Sequence, residues 1–89
     1  MTQNHPRPLQ TLSEVRTYLK QEQEIAQNPS APEYQVFTSL LRIAEQCETI
    51  EAFLTQAHAL PIAGPEEEVK EAKEWVRIAL GTITGEEQA

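Results

Sequence analysis

The longest apolar run in the chain extends from Tyr34 to Leu60, and its hydrophobic positions fall into two sets. Phe37, Leu40, Leu41, Ala44 and Cys47 lie within an arc of about 120° on a helical wheel. Ile50, Phe53, Leu54, Ala57 and Leu60 fill a similar arc, rotated by about 140° on the same wheel. This pattern admits two readings. In one, the helix breaks at Glu48–Thr49. Thr49 then caps a new helix, and Glu51 sits in the first turn, where the helix dipole favours a carboxylate. In the other, the helix is continuous. Val36, Leu40, Ile43, Cys47, Ile50, Leu54 and Ala57 alternate spacings of four and three, as in a coiled-coil seam, and neither Gly nor Pro interrupts them. The break is the preferred reading, and it leaves Val36 and Ile43 as candidates for a partner. A continuous helix favours a second subunit.

The flanking segments read as helices with marked ends. Thr11 and Glu14 have the spacing of a capping box, in which hydroxyl and carboxylate satisfy each other's free backbone N–H groups. A first helix from there to Asn28 puts Leu12, Val15, Leu19 and Ala26 on one face, with Tyr18 and Ile25 along its edge. Ser30 and Glu33 repeat the capping-box spacing, with Pro32 just inside the helix they would open. The short linker predicts antiparallel neighbours. Pro61, Gly64 and Pro65 mark a turn. Pro65 followed by Glu66, Glu67 and Glu68 then opens a last helix. Its apolar face is Val69, Ala72, Val76, Ala79, Leu80 and Ile83, and Gly81 or Gly85 ends it.

These elements predict an all-α antiparallel bundle of three to four helices, over about 11–28, 31–47, 49–60 and 65–84, the middle two forming one helix in the continuous reading. Residues 1–10, with Pro6 and Pro8 and no periodicity, read as a flexible arm. Residues 11–85 form the single helical domain, and 86–89 are expected to fray.

Composition narrows the function. Fourteen acidic residues, all Glu, against seven Lys and Arg give a net charge of −7. Such a chain repels phosphate backbones and anionic membranes, so nucleic acid and membrane are not expected partners, and a basic protein is. The absence of Asp removes an Asp-based calcium loop and an Asp-containing triad. A single cysteine, Cys47, rules out an internal disulfide and suits a reducing compartment. The polar N-terminal stretch lacks the apolar core of a signal peptide, and no run is long enough to span a bilayer. A cytoplasmic location is therefore expected.

Candidate chemistry is sparse. Cys47 and His58 are the only thiol and the only histidine within the predicted domain, too far apart on a continuous helix for a thiolate–imidazole pair. His5 and His58 are isolated, and Glu66–Glu68 fan around a helix instead of converging. No catalytic, cofactor-binding or metal-binding residue is assigned, and the chain is expected not to be an enzyme. Apolar residues outside the main stripes say more. Tyr18, Ile25, Val36, Ile43, Trp75 and Ile78 either widen the core faces or form an interaction surface, with Trp75 as its anchor. In size and acidity the chain is similar to small inhibitor, immunity or antitoxin-like proteins. The expected function is thus a non-catalytic acidic interaction module, an adaptor, regulator or inhibitor, with self-association as one form. The alternative is a small-ligand carrier or sensor with a pocket around Phe53, Trp75 and Tyr18.

Overall fold

In a computed structural model, which describes residues 8–85, the chain is all-helical. The described residues form α1 (Leu12–Ala26), α2 (Pro32–Gln46), α3 (Ile50–His58) and α4 (Glu66–Thr84). The central stretch is therefore broken. Cys47 and Thr49 both adopt extended backbone, and the Thr49 hydroxyl accepts the Ala52 N–H at 3.0 Å to cap α3. Residues 1–7 of the expected arm and 86–89 of the expected frayed end lie outside the described residues.

The Thr11 capping box forms in both directions. Thr11 Oγ1 accepts the Glu14 N–H at 3.2 Å, while Glu14 Oε1 accepts the N–H groups of Thr11 and Gln10. The second predicted box, Ser30 with Glu33, does not form. Pro32 holds Ala31 in extended backbone (φ −74°, ψ 145°), as a residue before proline prefers. Ala31 thereby becomes the N-cap, and Ser30 falls one position outside the helix. Its N–H is instead accepted by Asn28 Oδ1 at 3.1 Å. The same sterics before Pro29 keep Asn28 out of α1, so that helix stops at Ala26, earlier than the sequence suggested, and Gln27 turns to φ 65°. At the other end of the chain Gly85, not Gly81, terminates α4, with φ 77° and its N–H returned to the Gly81 carbonyl.

Side-chain pairings give the topology. Arg16 reaches Ala44 and Cys47 while Gln23 Nε2 donates to Thr38 Oγ1 at 2.7 Å, so α1 and α2 are antiparallel. Phe37 packs on Trp75, and Glu33 feels the charge of Glu71, so α4 runs parallel to α2 and antiparallel to α1. Short α3 and the connector after it return the chain beside Gln35–Ser39 before α4 begins. Leu9, placed in the predicted arm, donates its N–H to the Ile83 carbonyl at 2.9 Å and packs against the core. The arm is thus already held two residues before Thr11.

The core draws on every helix: Val15 and Leu19, then Phe37, Leu40 and Ala44, then Phe53 and Ala57, then Ala79 and Ile83. Both arcs of the central stretch point into it, because the break at Cys47–Thr49 cancels the rotation between them. Burying a side chain the size of Phe37 or Phe53 stabilises the fold by about 1.5–3 kcal/mol. No buried side-chain polar atom among the described residues lacks a hydrogen-bond partner.

Candidate interaction surface

Three aromatic rings from three helices meet on one side of the bundle. Phe37 of α2 is fully buried and is flanked by half-buried rings from α1 and α4. Tyr18 stands edge-on to it with centroids 6.2 Å apart and planes at 85°. Trp75 does the same from the other flank, at 6.0 Å and 64°. Such edge-to-face pairs contribute about 0.5–1.5 kcal/mol each beyond simple burial. Helical spacing extends the arrangement along both flanks: Val15, Tyr18, Glu22 and Ile25 share a face of α1, and Glu71, Trp75 and Ile78 a face of α4.

Toward the start of α2 this side is acidic. Glu33 lies between Glu22 of α1 and Glu71 of α4, and none of the three is ion-paired among the described residues. Partial burial, and then the two neighbouring carboxylates, push the Glu33 carboxyl above the ordinary carboxylate range. The contrast is Glu74, whose hydrogen-bonded pairing with Arg77 on the exposed side of α4 holds its carboxyl below that range. The ion pair among the described residues is Glu74–Arg77, three positions apart on α4.

Six residues were singled out by sequence, and they do not share one surface. Tyr18 and Trp75 flank Phe37. Ile25 is the large hydrophobic residue left open, at 66% exposure, and Ile78 is half-buried. Ile43 is half-buried and packs against the core. Val36 does not belong with them: it is 4% exposed, a core residue of the single chain. The reason is the Leu60–Ala63 connector, which lies beside Val36 and Ala72, so a position that looked spare is covered. The connector's own apolar residues, Leu60 and Ile62, were the signal that this segment needed a surface to lie on.

A residue that no sequence pattern singles out, Arg16, organises the break. Arg16 donates through Nε to the Ala44 carbonyl at 3.1 Å and through Nη2 to the Cys47 carbonyl at 3.5 Å, laying a cation over the C-terminal end of α2. Cys47 itself is buried, with Gln56 Nε2 3.5 Å from its sulfur, whereas His58 is exposed in the last turn of α3. No group of three or more His, Cys or Glu side chains among the described residues could hold a metal ion. No described helix is long and apolar enough to cross a membrane. An open cleft of about 120 Å³ lies between Gln35, Val36 and Ser39 of α2 and the Leu60–Ala63 connector, away from Tyr18, Phe53 and Trp75.

Comparison with known proteins adds no relative: no family model, curated protein or solved structure matches the chain. Over the described residues the molecule is a small all-α bundle of four helices with an aromatic, acid-flanked side.

Proposed function

We propose that this chain is a non-catalytic protein-interaction module that binds a basic segment of another protein on the α1–α4 side. The observation carrying this reading is the Tyr18–Phe37–Trp75 arrangement. Two half-buried rings from different helices are fixed by a buried third, beside three carboxylates that have no ion-pair partner among the described residues. Rigid, partly exposed aromatic side chains are the usual anchors of protein interfaces, because they contribute large contact area at little entropic cost. A Lys- or Arg-bearing partner relieves the repulsion among Glu22, Glu33 and Glu71 and meets a chain of net charge −7. Ile25 and Ile78 extend the apolar contact toward opposite ends.

The test is affinity capture from the native host with the wild-type chain, Trp75→Ala and Ile25→Glu as parallel baits, each checked for helicity by circular dichroism. The expected result is a protein captured by the wild type, lost with either variant, and released by moderate salt. A partner whose binding is unaffected by both substitutions overturns the assignment of this surface. The cleft beside the Leu60–Ala63 connector lies away from Tyr18, Phe53 and Trp75, so it lends the carrier reading no support.

A further inference from the structure

The α2–α3 joint is closed by side chains and by nothing in the backbone chemistry. A continuous helix through it would pair the Ala44 carbonyl with the Glu48 N–H and the Cys47 carbonyl with the Glu51 N–H. In the single chain the Arg16 guanidinium takes both of those acceptors, and the Thr49 hydroxyl takes the Ala52 N–H. No glycine or proline lies between Pro32 and Pro61, so the chain is free to be helical throughout. The seam such a helix would carry is the run Val36, Leu40, Ile43, Cys47, Ile50, Leu54 and Ala57. Of these, Ile43, Ile50 and Leu54 are only partly covered here. Across the joint, α4 packs mainly on α2 and only lightly on α3, so the α3–α4 half is held chiefly by its contacts with the α1–α2 half, which a second copy can supply.

We propose that the joint is the hinge of an exchanged dimer, and that the partner is a second copy of this chain. In the dimer residues 47–49 become helical, α2 and α3 fuse, and each α3–α4 half packs on the α1–α2 half of the other copy. The core contacts of Phe53, Ala57, Ala79 and Ile83 are remade by the same residues of the other chain. The net change is confined to the joint. Arg16 and Thr49 let go, backbone hydrogen bonds replace them, and Ile43, Ile50 and Leu54 gain cover from the second copy. The proposal does not rest on the Tyr18–Trp75 surface, whose failure in affinity capture would leave it untouched.

The experiment is light scattering of the full chain over a range of concentrations, after refolding from urea at high and low protein concentration. Arg16→Ala with Thr49→Ala removes both closures and is expected to tighten dimerisation by about tenfold or more, with a gain in helical circular dichroism. Glu48→Ala with Thr49→Ala keeps Arg16 and its hold on α2, and is expected to move in the same direction should the first variant fail to fold. Glu48→Pro is the opposing arm. Cys47 already has the extended backbone (φ −98°, ψ 158°) that a residue before proline prefers, so the joint accepts the change. A continuous helix does not accept it, and this variant is expected to stay monomeric at every concentration. Two results overturn the proposal: a dimer that survives Glu48→Pro, or folded alanine variants that remain monomeric at millimolar concentration.

Discussion

The two ends of α2 are made by different means. Its start is local: Pro32 sets the backbone of Ala31, Asn28 holds the Ser30 N–H, and no side chain caps the first turn. Its finish is tertiary: neither Gly nor Pro stands near Cys47, and the last carbonyls are held by Arg16, from a helix that lies 28 positions earlier in the chain. A helix that begins by covalent geometry cannot be lengthened by substituting its neighbours. One that ends because a distant cation occupies its acceptors ends only while that cation is in place. The charges differ in the same way. Arg16 complements the negative end of the α2 dipole, whereas Glu33 at the positive end is crowded by Glu22 and Glu71, which offsets the benefit of its position.

Substitutions at the two ends should separate these cases. Arg16→Ala is expected to have the largest effect, because it strips a charged donor from two carbonyls at a part-buried site. A loss of about 1.5–3 kcal/mol in urea unfolding follows from the usual strength of such bonds, with Arg16→Lys recovering only part. Thr49→Ala removes a hydroxyl cap and is expected to cost about 1 kcal/mol in the same assay.

At the opposite end Glu71→Gln is expected to stabilise slightly, by about 0.5 kcal/mol or less, since exposed charge terms are small. Its sharper readout is the Glu33 titration followed by NMR, which should move down toward the ordinary carboxylate value. The sign for Glu33 runs opposite to the usual acidic residue. Its pKa is raised in the folded state, so the native chain binds more protons than the unfolded chain through that titration. Glu33 therefore favours folding more as pH falls through this range, and Glu71→Gln should flatten that contribution. Ser30→Ala, which would be costly if the predicted capping box existed, is expected to change stability by less than about 0.5 kcal/mol.

What the sequence revealed and what it hid divide along the same line. The periodic faces of α1 and α4, the Thr11 box and the Thr49 cap between the two central arcs are properties of neighbouring residues, and the structure has them all. The Ser30 box failed through a local effect that was visible but outweighed, since Pro32 acts on the residue before it. Arg16 and Val36 were not legible in the same way. One acts on carbonyls 28 and 31 positions away, and the other is covered by a connector whose path depends on where α3 ends. Tyr18 and Trp75 fell between these cases. Their offset from the stripes marked them, but only Phe37, seen between them, shows why they are held.

The Leu9–Ile83 hydrogen bond has a consequence for the connectivity of the chain. It brings the two ends of the described segment together, so that in topological terms the bundle is nearly a closed ring of four helices. A ring can be opened elsewhere. Joining residue 85 to residue 8 by a short linker and cutting between Glu48 and Thr49 would turn the α2–α3 joint into the new pair of termini, leaving each helix whole. In such a permuted protein the two central arcs are no longer joined at the break but stand at opposite ends of the chain, and packing decides whether α3 finds its place beside α2.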